Sequence, residues 1–175
     1  MNMKQDVIIR FADAADAEAL SEIAEVTFRI TFAESNTAED MDTFCRMHYS
    51  TEIQRSEILD EHTTTVLVED KDQLCAFAQL RFGSAPDCVQ DLNAAEIQRF
   101  YVRPEWHGRG IAHRLMAHCF EILRVRRYRT VFLGVWEFNP RAITFYQKYG
   151  FAEVGEHVFV VGVDRQRDLI LACHL

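Results

Sequence analysis

The chain has 175 residues, 49% of them hydrophobic and 26% charged, with a net charge of −8. This is long enough for one domain with a core, spanning 1–175, and too apolar for a disordered chain. It has no apolar run of membrane-spanning length, no apolar leader after Met1, and no concentrated basic face apart from Arg124, Arg126, Arg127 and Arg129, so a cytoplasmic protein with neither membrane nor nucleic acid as partner is expected.

Residues 7–11 alternate and open a sheet. Residues 13–31 carry Ala17, Leu20, Ile23, Ala24 and Phe28 at helical spacing, which predicts the first helix. Thr37-x-x-Asp40 resembles a capping box, with Asp for the usual Glu, and starts a short second helix. Residues 51–59 read as a third. Residues 64–69 and 74–82 form a strand pair around the polar tip Lys71-Asp72-Gln73. A polar loop over 83–93 leads to a central strand over 95–102.

Residues 102–112 read Val-Arg-Pro-Glu-Trp-His-Gly-Arg-Gly-Ile-Ala and join that strand to a helix over 110–124. Glycines at a strand-to-helix turn can hold phosphate. Gly108 and Gly110 let the backbone turn sharply, and the helix from Ile111 points its free N–H groups at the turn. A dinucleotide fingerprint fails, because His113 stands where its third glycine belongs, and no Gly-Lys-Ser/Thr of a Walker loop is present. A plain surface turn remains the alternative for this segment. Residues 130–135 are β-branched and apolar and form a buried strand. Asn139 and Pro140 suit the N-cap and first position of a helix over 140–149, which Gly150 ends as the residue past the cap. Residues 152–161 and 168–174 close the sheet as an antiparallel pair. Helices interleaved with a mostly antiparallel sheet indicate a single α/β (α+β) domain.

The loop spacing, with His107, Gly110 and Ala112 in a Gln/Arg-x-x-Gly-x-Gly/Ala pattern, resembles the pyrophosphate loop of the GNAT superfamily of N-acetyltransferases. His107 departs from the usual Gln or Arg. Residues 139–151 resemble a second GNAT signature, Asn-x-x-Ala-x-x-Phe-Tyr-x-x-x-Gly-Phe. Thr27-Phe28, Thr31-Phe32, Asn36-Thr37 and Glu39-Asp40-Met41 look like the start of PaiA-type members of that superfamily. So do residues 133–137, 155–159 and 164–169 further on. The resemblance implies a mixed sheet whose two central parallel strands splay apart around acetyl-CoA, and a subgroup linked to spermidine and spermine.

Acetyl transfer to an amine needs a neutral amine, a polarised thioester carbonyl and a proton for the departing thiolate. Glu96, six residues before Val102, is the candidate base at a spacing similar to that of GNAT enzymes with a Glu on this strand, and Glu137 is the second. A strand-edge charge is the structural alternative for Glu96. Tyr146 is the candidate acid, with core packing as its alternative. A backbone N–H near Tyr101 and Val102 would hold the oxyanion, and that strand edge would pair with pantetheine amides. The expected cofactor contacts are His107, Gly108, Arg109, Gly110, Ile111 and Ala112 in the loop, with Asn139, Arg141 and Tyr146. Residues 1–95 hold 7 Lys and Arg against 19 Asp and Glu, a balance of −12; residues 96–175 hold 12 against 8, a balance of +4. An acidic half suits a cationic amine, with Glu34, Glu39, Asp40 and Asp42 as its candidate substrate contacts; Glu137, in the other half, is a further candidate contact. Solvated helix faces would give the same balance.

Five scattered cysteines without a CxxC pair and seven His without HExxH spacing predict a reducing compartment and no metal site. A small-molecule amine is the expected partner, and a homodimer is one option for the assembly. Other acceptors open at this point are a protein N-terminus, an amino acid or an aminoglycoside-like compound. A non-catalytic acetyl-CoA sensor would need only the phosphate loop, so Tyr146 and Glu96 speak for an enzyme.

Overall fold

β-branched and alternating segments make seven strands in the computed structural model, which describes residues 7–161 and 164–175. They are β1 Ile8–Phe11, β2 Thr63–Asp70, β3 Gln73–Phe82, β4 Ala94–Val102, β5 Thr130–Trp136, β6 Ala152–Val161 and β7 Asp164–His174. Five helices interleave with them: α1 Ala17–Phe32, α2 Ala38–Tyr49, α3 Thr51–Leu59, α4 Ile111–Val125 and α5 Pro140–Gln147. The strand order is β1-β2-β3-β4-β5-β7-β6, antiparallel throughout except between β4 and β5.

That parallel pair holds for three rungs, Ala94–Thr130, Ala95–Val131 and Glu96–Phe132, and then parts. The cause lies on the other side of β4. Leu80 of β3 faces Ile97 but Gln79 faces Arg99, so Gln98 is an extra residue. Such a bulge bends the strand that carries it. β5 cannot follow, because it stays paired with β7 as far as Trp136.

The helices cover both faces. Leu20, Ile23, Ala24 and Phe28 of α1 join Met41, Phe44 and Tyr49 of α2 over Leu67, Phe77 and Tyr101. On the other face Ile111, Leu115, Met116, Cys119 and Leu123 of α4 pack over Ala76, Ala78, Leu80, Ala95 and Ile97.

Local capping accounts for two departures from the predicted elements. The first helix begins as a 3-10 turn, Ala14–Asp16, because Asp13 and Asp16 cap one another: the Ala15 N–H donates to Asp13 and the Asp13 N–H to Asp16, both at 2.8 Å. The second helix is not short but runs 12 residues. Thr37 takes the Asp40 N–H at 3.2 Å, while Asp40, a methylene shorter than Glu, accepts the Thr37 hydroxyl at 2.7 Å. The end of α5 follows expectation. Gly150 has φ +84° and donates to the Gln147 carbonyl at 3.0 Å, and the Phe151 N–H reaches the Tyr146 carbonyl at 3.3 Å, a Schellman closure.

α3 is fastened to the sheet by a buried charge. The Arg99 side chain is 8% exposed and pairs with Glu57, donates to Gln79 Oε1 at 2.8 Å, and lies 5.0 Å over the Tyr49 ring. Removing one partner of such a pair strands the other charge, so Glu57→Ala should lower the unfolding free energy by about 3 kcal/mol in urea titration. The double variant Glu57→Leu with Arg99→Met should recover most of that loss. Equal loss in both would mean that packing, not charge, holds α3.

Candidate active site

The divergence of β4 and β5 opens a cleft of about 970 Å³, within the range of small-molecule sites. Backbone alternation sets what its β4 wall offers. The Arg103 N–H donates to the Cys75 carbonyl of the β3 side at 2.9 Å, so the Tyr101 amide also faces β3, and the amides of Phe100 and Val102 face the gap. The oxyanion donor expected near Tyr101 and Val102 therefore narrows to Val102, while Tyr101 contributes its ring to the cleft.

At the mouth, His107 Nε2 lies 2.8 Å from the Val102 carbonyl and ties the loop to the end of β4. Gly108 and Gly110 have φ +76° and +78°, and a Cβ at either would meet nothing within 4 Å, so the turn requires glycine there and crowding does not. Gly110 caps α4 with no side-chain bond, and the Arg114 N–H to Gly110 carbonyl bond, 3.1 Å, opens the helical ladder. The N–H groups of Ile111, Ala112 and His113 thus precede any intrahelical acceptor. The Ile111 side chain is core, 2% exposed, so only its amide can serve a ligand. Ala112 lines the cleft.

α5 forms the opposite lip. Asn139 caps it by accepting the Ala142 N–H at 3.1 Å, which leaves its NH2 group to donate. Arg141 lines the cleft, whereas Arg109 lies exposed, 5.9 Å over the Trp106 ring. Tyr146 lines the cleft at 8% exposure among Phe100, Phe145 and Phe151. Burial pushes its phenol above the ordinary tyrosine value, so it stays protonated at neutral pH. Gln98 Oε1 is buried in the cleft wall without a partner among the described residues. Uncapped helix amides at one end, a free strand edge in the middle and an orphan acceptor beside it fit a ligand with a diphosphate and a chain of amides.

The sequence pattern of the acetyltransferase (GNAT) family matches residues 18–151. The chain belongs to that family. It is an acyltransferase, and acetyl-CoA is its acetyl donor. It is 32% identical over 149 residues, 85% of this chain and 86% of the other, to an uncharacterized N-acetyltransferase of the pepI 3' region of Lactobacillus delbrueckii subsp. lactis. It is 27% identical over 143 residues, 82% of this chain and 86% of the other, to the spermidine N(1)-acetyltransferase of Thermoplasma acidophilum. The crystal structure of the PaiA N-acetyltransferase of Thermoplasma acidophilum in complex with coenzyme A superposes with a TM-score of 0.80 at 22% identity, covering 97% of this chain and 99% of that one.

The remaining candidates divide. Glu96 sits on the last paired rung, below the splay, and is not among the residues lining the cleft. Burial raises its carboxyl, opposed by Arg81, His157 and Arg99. Glu34 lines the cleft, but Glu39, Asp40, Asp42 and Glu137 do not. Asp42 is held by Arg29 at 2.7 Å and Glu137 by Arg167 at 3.0 Å. Sequence reasoning did not single out Asp168 and Gly134, which line the cleft, or His157, 3.6 Å from Asp168. A glycine inside the apolar strand 130–135 was the available signal, since it marks a close approach.

The loop geometry yields a test. Ala112→Asp places an acid in the first turn of α4, where it favours the helix, yet directly in the cleft. Thermal stability should hold or rise slightly. Coenzyme A affinity by calorimetry should fall about 100-fold, because a like charge ~5 Å away costs about 3 kcal/mol at an effective dielectric of ~20.

Proposed function

We propose that this N-acetyltransferase acts on a primary amine of a polyamine such as spermidine or spermine. The acceptor side of the cleft carries the reading: aromatic walls from Phe32, Phe44, Trp136, Phe138 and Phe159 stand beside two acids, Glu34 and Asp168. An alkyl chain with separated ammonium groups matches such a lining, its methylenes against the rings and its charges over ring faces or near carboxylates. The relationship to a spermidine N(1)-acetyltransferase supports the same class.

Acetyl-CoA supplies an acetyl group activated as a thioester. The uncapped N–H groups of Ile111, Ala112 and His113, reached across the Gly108–Gly110 turn, and the side chain of Arg141 hold its phosphates, Asn139 and the β4 edge its amide-bearing arm. The Val102 N–H holds the developing oxyanion. Tyr146 keeps its proton because burial raises the phenol, and gives it to the leaving sulfur. Glu96 does not line the cleft and has no direct path to the amine, so a role for it as base would need an intervening water.

Two measurements test the reading. Tyr146→Phe keeps the ring and removes the hydroxyl; kcat should fall at least about tenfold with little change in melting temperature. An unchanged kcat would assign Tyr146 to the core alone. In an amine panel, spermidine should be turned over, and added salt should depress its kcat/KM more steeply than that of a neutral-tailed primary amine, since screening sets in over a Debye length of about 10 Å at 0.1 M. Equal salt slopes, or turnover confined to peptide N-termini, would remove the polyamine and leave the acetyltransferase.

A further inference from the structure

The acceptor wall of the cleft holds a charged group that the fold leaves incomplete. Asp168 lines it from β7 and is 8% exposed. Its Oδ2 lies 3.6 Å from His157 Nε2 on β6, and its Oδ1 is buried with no partner among the described residues. A buried acceptor without a donor is costly, and more so when charged. A donor-rich cation in the cleft removes that cost.

Gly134 of β5 makes the arrangement possible. A Cβ there would stand 3.1 Å from His157 Nε2 and 3.5 Å from Asp168 Oδ2. With hydrogen alone at that position, the Asp–His pair closes over the strand. The His157 side chain is 48% exposed, so the pair links the cleft wall to solvent. Of the other titratable and charged groups around the pair, β4 contributes Tyr101 and Arg99 to the cleft lining and Glu96 just below it, α2 contributes His48 and Tyr49, and Glu34 stands at the rim; Tyr101 feels Asp168, and Glu96 feels both His157 and Arg99. Burial raises the Asp168 carboxyl above the usual carboxylate range, and His157 acts against that rise. A carboxylate raised in this way is the better proton acceptor.

We propose that Asp168 receives the acceptor's ammonium group and, with His157, removes the proton that must leave before nitrogen can attack; this rests on the amine reading above. One N–H bond of the ammonium breaks, its proton passes to the Asp168 carboxylate, and the electron pair stays on nitrogen. A small rotation of the half-exposed ring brings His157 to hydrogen-bond length, roughly 2.8 Å, and the proton continues through it to water. Once the C–N bond has formed and the C–S bond has broken, the second proton lost by nitrogen balances the one Tyr146 gives to the sulfur. Asp168 touches the reacting nitrogen and is catalytic; His157 acts through Asp168 and is a positioning and relay residue.

The test is the pH dependence of kcat/KM for spermidine in Asp168→Asn and His157→Gln. Wild-type activity should be lost as pH falls and the Asp168 carboxylate, raised by burial, takes up a proton. At pH 7 the Asn variant should lose about 100-fold and the Gln variant about tenfold, at the low end of acid–base effects. Both deficits should close as pH rises, because the fraction of free alkylamine grows about tenfold per pH unit below a pKa near 10.4. Acetyl-CoA affinity by calorimetry should be unchanged in both, while spermidine binding to the coenzyme A-loaded protein should weaken in the Asn variant. His157, half exposed, keeps the test valid if the buried Asn variant loses its fold. A deficit equal at every pH, or an acidic limb removed by Glu96→Gln and untouched by the two variants, overturns the assignment and gives the proton to Glu96. Absence of both turnover and binding for every amine with the unaltered protein overturns the amine reading, and this assignment with it.

Discussion

A strand edge needs partners for its N–H and C=O groups, and β4 turns such an edge toward the cleft rather than toward a neighbouring strand. Its parallel pairing with β5 stops after Glu96–Phe132, its other side is displaced by the bulge at Gln98, and β5 is committed to β7. The exposed edge from Phe100 to Val102 is therefore a demand for an extended, amide-bearing ligand. The rest of the site is arranged around that demand. α4 starts where β4 ends and presents uncapped amides there, and α5 brings Tyr146 to the opposite lip.

The opposite wall shows how the fold separates charges that hold it together from charges it leaves available. Arg99 and Asp168 are both about nine-tenths buried and both line the cleft. Arg99 is saturated, by Glu57, Gln79, Gln54 and the His48 carbonyl. A charge so fully matched has little left to offer a ligand, and its loss is felt as stability. Asp168 has one half-exposed histidine and an orphan oxygen. Burial with incomplete satisfaction is costly in a fold and useful in a site, because a ligand carrying the missing donors recovers the difference.

Most of the fold was legible in the sequence because its signals are local. Helical spacing in Ala17–Phe28, the Asn139–Pro140 cap and the Gly150 stop depend on residues within one or two turns, and each element formed near its predicted bounds. The glycine turn between β4 and α4 was legible for the same reason: the positive φ of Gly108 and Gly110 is a backbone requirement independent of tertiary context. The acceptor side was not. Asp168, His157 and Gly134 come from three strands and meet only through the pairings of β5 with β7 and β6 with β7, with Trp136 and His157 both opposite Asp168. The bulge at Gln98 was equally hidden, since an extra residue on one strand is visible only against its partner. Glu96 was placed on β4, but its position below the divergence was not legible, because the strand's own residues do not encode where the pairing with β5 ends.

The acidic balance of the first half misleads in an instructive way. Its −12 is real, yet much of that charge is spent on the fold. Asp16 and Glu69 hold Arg10, Glu25 and Asp42 hold Arg29, Glu57 holds Arg99, and Glu22 holds Arg103. A sum over sequence therefore overstates the field at the cleft, where the acids that remain are Glu34 and Asp168. These two differ in what they can do. Glu34 is exposed, so solvent and salt screen it, and its influence is on the encounter with a cation. Asp168 is withdrawn from solvent, so its interaction with an ammonium is screened far less and bears on the bound state. For the proposed polycation the two acids would divide the work accordingly, with a salt-sensitive approach at the rim and a salt-resistant contact inside the cleft.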